Sequence, residues 1–194
     1  MGGEPALIEV TRKTLFVGGR AVGQDEIDRL TYWTVEKTRK ASTVKLVHHF
    51  RLALERGVEL RGAVDVLHPD LAERQRRAAG AAEVVRWLQT NVETRIRQTL
   101  IDRVAAGTPL AIGRCDLTTA GFAHRRTLPG AKTHPWDRYY ASRVTTGSIQ
   151  ILLNTDDPEL GKRGFKVSRS ELDAVMLPEL MASCRERWGG RAPG

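Results

Sequence analysis

Side chains able to do chemistry are sparse in this chain, and their spacing limits what they could do. His48 and His49 stand together like a metal-binding pair. Apolar residues around them recur at every second position, however, and a strand sends adjacent side chains to opposite faces. His48 is therefore expected as a buried, hydrogen-bonded histidine on an apolar face. Cys115, His124, His134 and Asp137 could converge from neighbouring strands, but their spacings match no zinc pattern such as paired CxxC. Cys184 falls on an apolar helix position and reads as core. No GxSxG, HExxH, Walker loop or GxGxxG stands in the sequence. The reading assigns no catalytic residue, no cofactor and no metal.

What remains is the chemistry of positive charge. Arg12-Lys13 falls on a predicted tight turn. Arg125-Arg126 and Tyr139-Tyr140 interleave basic and aromatic groups, as single-stranded nucleic-acid binders do. Lys162-Arg163 lies in GKRG, which has the Gly and Lys of a phosphate loop but no following helix, so it reads as a basic loop. These six residues are the candidates for contact with an anion or a partner. Arg74-x-Arg76-Arg77 reads as the solvated face of a helix.

The elements that must position these groups follow from hydrophobic period. Val44, Leu46, Phe50, Leu52 and Leu54 alternate with mostly polar residues, and after Arg56-Gly57 the alternation resumes as Val58, Leu60, Gly62, Val64 and Val66. Helix formers crowd this stretch, yet a helix needs apolar residues at three- and four-residue steps. Two antiparallel strands joined at Arg56-Gly57 are predicted, with Leu52, Leu54, Leu60 and Val64 buried and Arg51, Glu55, Glu59 and Arg61 exposed. Ahead of them, ALIEV, TLFV and RAV read as short strands. IDRLTYWTVEK reads as a longer strand with Ile27, Arg29, Thr31, Trp33 and Val35 on one face; a helix over 25–40 is the rival reading. TRKAS (residues 38–42) reads as a polar loop.

From His68-Pro69-Asp70 the apolar residues switch to helical steps: Ala81, Val84, Val85, Leu88, Val92, Ile96, Leu100 and Val104. Asp70 is placed to cap that helix, Gly107 and Pro109 to stop it, and Gly80 to break or kink it. The last third returns to short strands, ending with GSIQILLN, a polar loop over 154–164 and FKV. A final helix is expected from about residue 173 to 188, because Pro178 is tolerable only near a helix start. The tail after Gly189-Gly190 is expected to be disordered.

The chain thus repeats one order: several short strands, then an amphipathic helix. VTRKTLFVGGRAVGQDEIDRLTYW and LTTAGFAHRRTLPGAKTHPWDRYYASRV run in step, with the Pro135-Trp136 region standing where Gly23-Gln24 stands in the first. The second stretch resembles the bacterial pleckstrin-homology-like (PH-like) proteins, which carry "Thr-x-x-Gly-Phe…Pro-Trp". Thr118, Gly121, Phe122, Pro135 and Trp136 are the matching residues. The chain as a whole resembles a family of such proteins with two units joined by a helix, through the Gly107-Thr108 to Gly113 run and the apolar helix at Leu177 to Leu180. The resemblance covers roughly residues 6 to 187 and implies a fold, with no catalytic residue or ligand. It implies an α+β protein of two bent antiparallel sheets, nearly barrels, each closed by a helix. The units would be residues 5–106, including the linking helix at about 69–106, and 108–188. Arg12-Lys13 would sit on the first hairpin, where inositide-binding PH domains carry their basic cluster.

Composition sets the outer limits. The chain has 194 residues, 41% hydrophobic and 28% charged, which suits a globular protein able to bury a core. No apolar run of eighteen residues predicts a membrane span, and MGGEPALIEV lacks the basic head and apolar segment of a secretory signal. Two cysteines and no such signal lead to the expectation of free thiols and a cytoplasmic address. The net charge is +8. It is spread along the chain: residues 1–67 carry 11 basic and 9 acidic side chains, 68–107 carry 7 and 5, and 108–194 carry 13 and 9. The resulting expectation is a non-enzymatic intracellular binding or scaffold module whose partner is a protein. The alternatives are a charge-driven binder of nucleic acid or an anionic membrane surface, and then an enzyme of unrecognised type.

Overall fold

The computed structural model describes residues 6–11, 13–39, 42–125, 133–154 and 164–189. The fold is α+β, and the chain divides into two compact units between Ile96 and Arg97. In the first, β1 (Ala6–Thr11), β2 (Thr14–Val17), β3 (Arg20–Val22), β4 (Ile27–Arg39), β5 (Ser42–Leu54) and β6 (Glu59–Asp65) form one sheet in the order β3-β2-β1-β6-β5-β4. The alternating stretch is the antiparallel hairpin its period requires: Phe50 faces Gly62 and Leu52 faces Leu60. Its corner is a 3-10 turn over Glu55–Gly57, where Gly57 adopts φ 75°, a conformation that a Cβ would strain. Phe50, Leu52, Leu54 and Val64 are buried.

Several details depart from the sequence reading. Leu60, expected in the core, is half-exposed. Arg51, expected in solvent, is half-buried and donates to Glu59 at 2.8 Å. The stretch after Glu26 is strand, not helix, but its faces are not a simple alternation. A β-bulge between Ile27 and Arg29 brings both Ile27 and Leu30 inward, since one extra residue flips the parity of a strand. Thr38, Arg39 and Ser42, read as loop, extend β4 and β5. The sheet does not close into a barrel among the described residues, and its β1–β6 seam is parallel where an antiparallel sheet was expected.

The helix follows as α1 (Leu71–Leu88), a π turn over Gln89–Glu93 and α2 (Thr94–Ala105). Asp70 caps it, its carboxylate accepting from the Ala72 and Glu73 amides at 2.7 and 3.1 Å. Its end is a Schellman turn: Gly107 at φ 80° donates to Val104, and Thr108 donates to Arg103. Gly80 does not break it; the irregularity lies nine residues on. Val84, Leu88, Val92, Ile96, Leu100 and Val104 are all buried, a row stepping by four. At 3.6 residues per turn such a row drifts around a straight helix by about 40° per step. The looser i→i+5 winding of the π turn takes up part of that drift.

The second unit has β7 (Leu110–Ile112), β8 (Cys115–Thr118), β9 (Gly121–His124) and β10 (Thr133–His134) in one antiparallel sheet. A second holds β11 (Tyr139–Val144), β12 (Ser148–Leu153) and β13 (Gly164–Ser168). Helix α3 (Leu177–Trp188) buries Leu177, Leu180, Met181, Cys184 and Trp188. It begins later than expected. Asp173 sits at φ 67°, outside helical space, and a 3-10 turn over Ala174–Met176 intervenes before Pro178 enters in the first turn. Among the described residues no helix is long and apolar enough to cross a membrane.

Candidate functional site

Of the six basic candidates, Arg12, Arg126, Lys162 and Arg163 lie outside the described residues. Lys13 and Arg125 belong to different units. Lys13 takes φ 70° in the β1–β2 turn, and its carbonyl accepts the Trp87 indole N–H at 2.8 Å, so the turn is pinned while the side chain stays exposed. Arg125 forms a bidentate pair with Asp116, the Nε contact at 3.1 Å, and this hydrogen bonding is the main reason its pKa is raised. The pair borders a shallow groove of about 350 Å³ with Pro109, Ala111, Thr118 and Ala123. An anion entering there would compete with the Asp116 carboxylate already in place.

The histidines do not converge. His48 is half-buried, with its Nδ1 3.0 Å from Thr34 Oγ1, while His49 on the other face stacks on Trp33 at 5.0 Å. Burial lowers the pKa of both rings; His49 adds to this at His48, and Lys45 adds to it at His49. Both rings therefore favour the neutral form. Cys115 and Cys184 are free and buried, and burial pushes both thiols up to about 12. Thiols held so far from the thiolate are poor nucleophiles. Among the described residues no group of three or more His, Cys, Asp or Glu is placed to hold a metal ion.

The residues that carry the PH-like resemblance form a structural corner. Thr118 Oγ1 donates to the Gly121 carbonyl at 3.1 Å, and the Trp136 indole N–H donates to the Thr118 carbonyl at 3.1 Å. A Cβ on Gly121 would lie 2.1 Å from the His134 carbonyl oxygen, so only glycine fits. Phe122 packs on Trp136 at 5.4 Å and edge-on to Tyr139 at 6.2 Å, and Trp136 lies 6.4 Å from Trp188 of α3. Thr118, Gly121, Phe122 and Trp136 are each bonded to or packed on another member of the motif. Their work is to hold β9, β11 and α3 together.

In the first unit the same place in the order is held by polar groups. Glu26 accepts from the Gly23 amide at 2.8 Å and pairs with Arg20 at 3.0 Å. Arg95 donates to the Gln24 and Ile27 carbonyls at 2.8 and 2.6 Å, and Gln89 of the π turn donates to Tyr32 at 2.9 Å. With Trp87 on Lys13, these polar anchors help to fasten the helix to the sheet. Sequence reading placed Trp87 only at the edge of the apolar stripe and missed Arg95 and Gln89, which look like ordinary solvated residues of a helix.

An open groove of the first unit was also missed. A groove of about 500 Å³ runs along β1 and β6 beneath the first turns of α1, with Leu7, Val10, Val64 and Gly80 among its lining residues. Leu7 is 61% exposed at its rim. Glu9, Asp65, Glu73, Arg76 and Arg77 supply its polar groups. Glu73 pairs with both arginines, and Arg77 also donates to the Asp65 carbonyl at 3.2 Å. The only sequence hint was Gly80, an apparently misplaced helix glycine.

The chain matches no family model, no curated protein and no solved structure.

Proposed function

We propose that the chain is a non-enzymatic binding module of two PH-like units joined by a helix, and that it works in the cytoplasm by holding a protein partner. The observation that carries this reading is the repeated order. Each unit runs through short hairpin strands, a 3-10 turn (Gln24–Glu26 or Trp136–Arg138), a three-strand meander and an amphipathic helix. Such a frame offers surfaces and grooves, and the motif residues within it are spent on its own packing. The two free thiols support a reducing compartment.

The charge-driven reading is less well supported. Among the described residues Arg20, Arg51, Arg61, Arg76, Arg77, Arg97 and Arg125 all lie in ion pairs with carboxylates. Cations already paired release few counterions on meeting phosphate. The test is affinity capture on the intact chain from its source cell, followed by binding of the purified captured protein at two salt concentrations. Saturable binding that changes little with salt supports the module. Capture of nucleic acid or lipid alone, with affinity falling steeply as salt rises, overturns it, as does robust turnover of a metabolite abolished by one polar substitution.

A further inference from the structure

We infer that the groove between β1 and β6 takes an extended peptide segment of a partner protein, added as a strand along β1, with apolar side chains alternating with Lys or Arg. This rests on the binding-module reading and names its site. The backbone geometry comes first. β1 and β6 pair in parallel at Ala6–Gly62 and Leu7–Ala63, and the pairing ends there although both strands continue. Gly18 N–H donates to the Leu7 carbonyl, and Val66 N–H to the Leu46 carbonyl. Backbone groups alternate sides along a strand. Leu7 and Glu9 therefore direct their amides and carbonyls to β2, while Ile8 and Val10 direct theirs toward β6. The parallel Leu7–Ala63 pairing takes the Ile8 amide and both backbone groups of Ala63, which leaves the Ile8 carbonyl and the Val10 amide and carbonyl facing the groove, with Asp65 opposite. The Asp65 carbonyl is taken by Arg77, which leaves β1 as the edge open to a new strand. From Ile8 to Val10 that edge is about 7 Å long at ~3.3 Å per residue, enough for two or three residues of added strand.

The side walls choose the segment. Leu7 and Val10 offer apolar contact, and Gly80 keeps the α1 wall open: a Cβ there would meet nothing within 4 Å. Glu73 offsets one of the two charges of Arg76 and Arg77, so the three carboxylates at the groove outnumber its two guanidiniums by one. That local negative excess around an apolar floor favours a segment carrying Lys or Arg beside its apolar residues and disfavours an acidic one.

The experiment pans a phage library of random heptapeptides on the full chain, with the Gly80→Leu variant as counter-selection. Gly80→Leu fills the groove from a helix position where leucine is the better helix former, so its thermal midpoint should equal or exceed that of the parent. The expected survivors alternate apolar residues with Lys or Arg. A synthetic copy of the most enriched survivor should bind at least tenfold more weakly to Gly80→Leu and to the surface variant Glu9→Lys. Methylating its central backbone amides should cost at least tenfold as well. Survivors that fail to distinguish parent from Gly80→Leu, acidic survivors, or N-methylated copies that bind equally well would each overturn the inference. A partner captured from the cell that binds Gly80→Leu as tightly as the parent would remove this site and leave the two-unit binding reading standing.

Discussion

The two units turn into their long meanders at corners of opposite chemistry. Ahead of β11 the corner is plugged: Trp136 is 2% exposed, packs on Phe122 and Trp188, and spends its one polar atom on the Thr118 carbonyl. Ahead of β4 the corner residues Gln24 and Asp25 are exposed, and Arg95 and Glu26 tie the turn down through its carbonyls and the Gly23 amide. The corner is thus held by apolar burial in one unit and by hydrogen bonds in the other. Burial acts over many atoms at once, whereas a hydrogen bond exchanged with water nets only ~0.5–1.5 kcal/mol. The corner is therefore expected to be a rigid keystone in the second unit and a softer fastening in the first.

That contrast can be broken. Trp136→Ala should have the largest effect, costing about 3–5 kcal/mol by opening a cavity under Phe122 and Trp188. Hydrogen exchange should locate the loss: amides of β8, β9 and β11 should exchange faster while those of β5 and β6 keep their protection. Equal loss in both units would mean that the corner is no local keystone. Leu52→Ala supplies the scale in the first unit, where a side chain 1% exposed should cost about 2–5 kcal/mol, seen as a lowered denaturation midpoint. Arg61→Ala, on an exposed side chain facing the same strand, should move that midpoint by less than about 0.5 kcal/mol.

Arg95→Ala comes next, at about 1–2 kcal/mol for two charged donors lost from the Gln24 and Ile27 carbonyls. If it costs as much as Trp136→Ala in the same exchange experiment, the distinction between plug and fastening fails. Glu59→Gln should have a smaller effect than Arg95→Ala, under about 1 kcal/mol at neutral pH for a partly exposed pair. Its pH dependence sharpens the picture. Hydrogen bonding from Arg51, then from Arg61, holds the Glu59 carboxyl at about 2, below its unfolded value of 4.5. The folded state therefore binds this proton less readily, so the stabilisation is full above about pH 4.5 and is lost as pH falls toward 2. Parent and variant should converge in urea midpoint across that window. A constant gap would assign the difference to packing.

Much of this architecture was legible because it rests on neighbours in sequence. The Val44 to Val66 alternation foretold a hairpin against its helix-rich composition, since side-chain parity is set residue by residue. The Asp70 cap and the Gly107 stop were equally local. The bulge at Ile27 was not legible, because nothing in the sequence marks which residue will be left unpaired. Nor was the role of Arg95, whose partners lie some seventy positions earlier in the chain. The candidate groove was missed for the same reason: its walls come from residues 7–10, 63–65 and 73–80, and Leu7 reads alone as one more core residue of a short strand.

The sequence by itself determined period, caps and turns, because each depends on dihedral preferences and on side chains a few residues apart. It thereby determined the repeated order of strands and helix. Only the tertiary structure decided how the first strand meets the sixth. That seam joins Ala6 to Gly62 in parallel, where a side chain on Gly62 would meet Ile8 at 2.7 Å, and it ends after Leu7. The pairing of strands more than fifty residues apart leaves no periodic trace in either, since each strand looks the same whichever neighbour it takes. The open edge of β1, and the binding proposed along it, exist only through that meeting.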